Sequence, residues 1–143
     1  RPASEEIGQS NGRILMARIF IAIAAILGAL SVAGGAFASH ALKSQLSDRA
    51  LEIFETGVRY QMYHALALLF LALLLWQLQP DAPTPLVASG ILWIVGIAIF
   101  SGSLYALSLS EIKWLGAIAP IGGVAFIVGW LCLAWGSLGL GKL

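Results

Sequence analysis

Two histidines, His40 and His64, have the widest chemical repertoire in this sequence. An imidazole can change its proton count near neutral pH, or ligate a metal or haem iron. Polar residues accompany both. Glu55 precedes Arg59 by four residues, the favourable order for an ion pair along a helix. Arg59, close to Tyr60 and Tyr63, carries the planar donor set that binds a lipid phosphate or orients His64. Further along, Ser101, Ser103 and Tyr105 supply hydroxyls. The same residues admit plainer roles: a solvated Glu55/Arg59 pair, an interfacial His64 satisfied by a hydroxyl or carbonyl, and serines bonded back into their own helix. A bis-histidine site is the sharpest alternative, but no carboxylate or cysteine stands at ligand spacing beside the histidines. Neither cofactor nor metal is therefore expected. No nucleophile is grouped with a base and an orienter, and there is no phosphate-binding glycine loop. Cys132 is the single cysteine, so an intramolecular disulfide is ruled out.

The elements that carry these residues follow from the order of the charges. Of 143 residues, 59% are hydrophobic and 10% charged, and the mean hydropathy is +0.91. That is more apolar surface than a soluble core of this length can bury. Four stretches lack Asp, Glu, Lys and Arg: Ile19 to Ser39, Tyr60 to Pro80, Ala82 to Ser110 and Trp114 to Gly141. Each reaches the roughly 20 residues that a helix needs to cross the hydrocarbon core. The runs do not alternate as barrel strands do, and the first lacks the pattern of a cleaved signal peptide. The expected fold is all-α: an integral membrane bundle of four transmembrane helices, with spans at about 17–39, 60–79, 86–109 and 114–138. A polar tail, 1–15, precedes this domain, 16–143, and Met16 is a candidate natural start.

Between Ala41 and Arg59 the charges return. Ser47 is placed as an N-cap with Asp48 in the first turn, and Leu46 and Leu51 are spaced for a hydrophobic staple. An amphipathic helix in the first loop follows, with Ala50, Leu51, Phe54, Val58 and Met62 on one face and Gly57 placed for a bend into the second span. Pro80 to Pro85 forms a proline-rich turn, and Ser110 to Lys113 a short polar one. Ala25, Ala29 and Ala33 form a small-residue stripe suited to close packing in lipid, which makes the first span the expected centre of the bundle. Gly102, Gly122, Gly123 and Gly129 extend such packing to the third and fourth spans.

Four spans place both termini on one side of the membrane. Arg13 and Arg18 favour the cytoplasm for that side, although Lys43, Arg49, Arg59 and Lys113 lie on the other. This topology gathers His40, Glu55, Arg59, Tyr60, His64 and the third-span hydroxyls at one face, opposite the proline turn.

Four ordered motifs resemble one family. Gly35 to Leu42, Phe54 to Leu66, Phe100 to Tyr105 and Pro120 to Gly123 are similar to the domain-of-unknown-function family 423, whose eukaryotic relatives are called transmembrane protein 256. The resemblance runs from Met16 onward. It implies a small multi-pass protein of a bacterial-type inner membrane, or of a thylakoid, and it implies no reaction. Relatives tend to carry Gly-Ala before the histidine, where this chain has Ala38-Ser39.

The leading expectation is a non-catalytic protein that binds membrane lipid or a small amphiphile, or packs as an accessory subunit in a membrane complex or homo-oligomer. It would act through the face holding His40, Arg59 and His64. The rival is an oligomeric channel or transporter for a small solute, lined by His64, Tyr63 and the third-span serines; a membrane-surface enzyme comes third. A net charge of +1 gives no reason to expect nucleic acid.

Overall fold

The computed structural model describes residues 3–79 and 81–140. Pro80, expected at the head of the proline turn, lies outside the described residues, as do 1–2 and 141–143. Among the described residues, four helices are long and apolar enough to cross a membrane: α1 (Ala3–Leu42), α2 (Asp48–Gln77), α3 (Thr84–Ser110) and α4 (Lys113–Leu138). The chain is an all-α integral membrane bundle of these four. Phe70, Ile121, Leu131 and Leu138 are each more than half exposed, as befits side chains solvated by lipid.

Local chemistry sets the helix ends. The Ala50 amide donates to Ser47 Oγ at 3.1 Å, Asp48 opens the first turn of α2, and Leu46 and Leu51 pack beneath it. Pro83 and Pro85 flank the start of α3, where a missing amide proton costs nothing. At the other end of α3, Glu111 takes a left-handed conformation (φ 59°) and its amide donates to the Leu107 carbonyl at 2.9 Å. A 3₁₀ turn, Lys113–Ala117, then leads into the α-helical part of α4, Ala119–Leu138, with Pro120 in its first turn.

The amphipathic segment expected in the first loop is present as the opening turns of α2, not as a separate element. Gly57 does not bend it, because that glycine serves a contact with α3. The polar segment read as a tail is likewise helical from Ala3 and continues α1; Arg13 there donates to the Ala82 carbonyl at 3.2 Å, tying it to the turn before α3.

α1 packs chiefly on α2, and α4 chiefly on α3, while α2 and α3 meet along their length. The centre therefore belongs to α2 and α3, which corrects the expectation for the first span. The inward stripe of α1 is Ala17, Phe20, Ala24, Ser31 and Ala38; Ala25, Ala29 and Ala33 face outward. Among the described residues, two π-helical turns interrupt the regular winding, one closing α1 (Ala38–Leu42) and one inside α3 (Ile97–Ser101). The second lies where α3 and α4 are nearly in backbone contact: a Cβ on Gly122 would fall 2.4 Å from the Phe100 nitrogen.

Candidate functional site: a polar seam and an open end

The polar side chains of the spans divide into two groups. One group forms a seam through the bundle. Ser101 Oγ donates to the Gly57 carbonyl on α2 at 2.7 Å, so this hydroxyl crosses between helices instead of bonding back into its own. That approach needs a glycine, since a Cβ on Gly57 would lie 2.8 Å from the Tyr105 ring. One turn on, Tyr105 donates its hydroxyl proton to Gln61 Oε1 at 2.7 Å, and Gln61 Nε2 donates to the Leu27 carbonyl at 2.9 Å. Three helices are thereby joined through one amide. Ser103 differs from Ser101: its hydroxyl donates to the Phe100 carbonyl of its own helix.

His64, 5% exposed, is a buried member of the seam. Its Nδ1 lies 2.8 Å from the Tyr60 carbonyl, and its Nε2 lies 3.1 Å from Trp130 Nε1. An indole N–H can only donate, so Nε2 is the acceptor and Nδ1 carries the proton. The ring is thus a neutral imidazole with both nitrogens engaged. Phe126 stacks on it at a centroid distance of 3.6 Å and an interplanar angle of 8°. Tyr60 closes the same aromatic cluster against Phe100 at 4.9 Å. Deeper along α3, Ser89 Oγ donates to the Gly129 carbonyl at 2.7 Å, in a contact so close that a Cβ on Gly129 would meet Trp93.

The second group stands at the end of the bundle where α1 finishes and α2 begins. His40 is exposed on the π turn of α1, and Arg59 and Tyr63 are exposed on α2. The expected Glu55/Arg59 ion pair is absent among the described residues; Arg59 Nη2 donates instead to Thr56 Oγ1 at 3.2 Å. In water an exposed pair gains too little to outweigh the entropy of fixing two long side chains. Among the described residues, the ion pair that forms is Arg49–Glu52, at 3.1 Å. His40 and His64 do not form a ligand pair, because one is exposed and the other has both nitrogens bonded. No group of three or more His, Cys, Asp or Glu able to hold a metal occurs among the described residues.

Of the glycines read as packing positions, Gly122 and Gly129 sit in tight helix contacts, while Gly123 only grazes Phe100 at 3.9 Å and Gly102 faces outward with open space around it. Gln61, Trp130, Phe126 and the Gly57 carbonyl were not singled out from the sequence. Gly57, Gln61 and His64 recur at four and three residues on α2, and a glutamine within a charge-free span is itself a signal.

Four spanning helices, fastened to one another by buried polar contacts, define a small multi-pass integral membrane protein. The chain belongs to the family described as Protein of unknown function (DUF423), which matches residues 34–123. The matched region takes in His40, Gln61, His64, Ser101 and Tyr105, and stops short of Trp130. The chain is 44% identical over 116 residues to the UPF0382 membrane protein YwdK of Bacillus subtilis, covering 81% of this chain and 93% of that protein. Over 123 residues it is 42% identical to a UPF0382 membrane protein of Staphylococcus epidermidis, covering 85% and 96%. A UPF0382 membrane protein of Haemophilus influenzae is 42% identical over 118 residues, covering 82% and 92%. No solved structure matches.

Proposed function

We propose that this chain is a non-catalytic membrane protein that binds lipid, or serves as an accessory component of a membrane assembly, through the end that carries His40, Arg59 and Tyr63. One observation carries the reading: the seam's Ser89, Ser101, Gln61, Tyr105 and His64 are bonded to one another, to Trp130 or to backbone, whereas His40, Arg59 and Tyr63 at this end are exposed. Ser101, Gln61, Tyr105 and His64 act as interhelical fasteners, the common use of polar side chains in lipid. Arg59 keeps most of its five N–H donors for the interface, where lipid phosphates lie. The membrane is an inner, bacterial-type one, or a thylakoid, with both termini in the cytoplasm.

Extraction in a mild detergent followed by mass spectrometry of the intact protein tests this. Bound phospholipid or a stoichiometric second subunit is the expected result, with less lipid retained by Arg59→Ala. A clean monomer carrying nothing would overturn it.

A second reading, an oligomeric channel or transporter, draws on the outward stripes of Ala25, Ala29 and Ala33 on α1 and of Gly102 on α3, which allow close approach by another copy. It requires solute flux in liposomes above the protein-free background and a change with His64→Ala. Equal background flux for both proteins removes it.

A further inference from the structure

A groove of about 510 Å³ lies between the opening turns of α2 and the corner that joins α3 to α4, a volume in the range of small-ligand sites. Ser47, Arg49 and Ile53 line one side, and Leu107, Glu111 and Lys113 the other. Ile53 and Leu107 lie about a turn inside their helix ends, and the charged residues lie at the ends themselves. Trp114, next to Lys113 and 64% exposed, is an aromatic of the kind that marks the membrane–water boundary. The groove thus has an apolar portion toward the hydrocarbon and a charged portion at headgroup level.

The charges are specific in arrangement. Arg49 is already paired with Glu52 at 3.1 Å. Lys113 and Glu111 form no ion pair among the described residues. Glu111 is also the one non-glycine residue among the described residues with positive φ, at a helix C-terminus where glycine or asparagine is the easier choice. A carboxylate is therefore held beside the groove at a conformational cost.

We infer that this groove binds the headgroup of a zwitterionic phospholipid whose cation is a primary ammonium. The phosphate sits against Lys113 and Arg49, the ammonium against Glu111, and the acyl chains pass Ile53 and Leu107. The inference rests on the lipid-binding reading above and gives it a headgroup. A purely anionic headgroup would leave Glu111 opposed by like charge. A trimethylammonium has no N–H to donate to the carboxylate, whereas a primary ammonium has three.

The test is native mass spectrometry of the full chain released from nanodiscs holding equal amounts of phosphatidylethanolamine, phosphatidylcholine and phosphatidylglycerol with identical acyl chains. The expected result is retention of phosphatidylethanolamine over phosphatidylcholine by about fivefold, the scale of one exposed charge pair. Glu111→Gln should equalise the two, and Lys113→Ala should lower retention of all three lipids. Glu111→Gly also equalises them and, because it relieves the left-handed backbone, does so with an unchanged or raised Tm, which separates loss of the carboxylate from misfolding. A preference for phosphatidylglycerol, or an ethanolamine preference that survives Glu111→Gly, would overturn the inference. Equal retention of ethanolamine and choline lipids by the unaltered chain sinks the headgroup assignment alone. Retention of no lipid sinks the lipid-binding reading with it.

Discussion

Gln61 shows how much one side chain can do in lipid. Its amide accepts from Tyr105 on α3 and donates to the Leu27 carbonyl on α1, so its loss breaks two bonds to two other helices, although the Leu27 carbonyl still accepts from Ser31 Oγ. Interhelical hydrogen bonds in membranes average about 0.6 kcal/mol and rarely exceed about 1.7 kcal/mol. Gln61→Leu should therefore cost about 1–2 kcal/mol, more than Tyr105→Phe, which breaks one bond. In a double-mutant cycle read by denaturation in mixed micelles, the pair should couple by at least about 0.5 kcal/mol; additive effects would show that the bond is not made. His64→Phe keeps the stack on Phe126 and removes the acceptor for Trp130. Its expected cost is about 1 kcal/mol by the same assay, given that Trp130 is half-exposed.

Among the helices, glycines decide how closely the axes approach, and their effects should separate by position. At Gly122 an added methyl would lie 2.4 Å from the Phe100 backbone nitrogen, and at Gly129 it would lie 2.6 Å from Trp93. Backbone yields less than a side chain, so Gly122→Ala should destabilise by about 2–3 kcal/mol and Gly129→Ala by somewhat less. Gly102 has open space around it, and Gly102→Ala should be neutral or stabilising by up to about 1 kcal/mol through helix propensity. Thermal unfolding in detergent checks this order; equal losses at all of these sites would contradict the contacts. The contrast also marks what the sequence conveys. Helix number, the Ser47 cap and the two turns were legible, because charges, caps and prolines are local signals. The rotation of each helix about its axis was not. In water, hydropathy reports which face is inward; in lipid both faces are apolar, so Ala25, Ala29 and Ala33 look like a packing stripe although Ala17, Phe20, Ala24 and Ser31 are the buried one. Ser101 and Tyr105 were recognisable as polar and worth noting, but their partners Gly57 and Gln61 depend on that rotation.

For the molecule as a whole, the two outer helices and the two central ones give a bundle whose ends differ. At one end Arg13 is tied to the turn before α3; at the other are the exposed His40, Arg59 and Tyr63, with the groove at Glu111 and Lys113. Reporter domains fused to either terminus should give the same side, since the spans are even in number. With termini in the cytoplasm, a phosphatase fused at residue 112 should be active on the far side, and activity at the termini would reverse the orientation.

The π turn within α3 carries a consequence for chain length. The Gly102 amide bonds to the Ile97 carbonyl, five residues back, so this turn holds one residue more than an α-turn while the helix on either side keeps its facing: Ser89 and Trp93 toward α4, Ser101 and Tyr105 toward α2. It works as an expansion joint. Deleting the outward-facing Ala98 would close the turn to ordinary α winding and leave both halves in phase, whereas deleting Leu104 from the regular part would swing Tyr105 about 100° away from Gln61. A length change of a single residue, ruinous in the regular part of this helix, can be absorbed there.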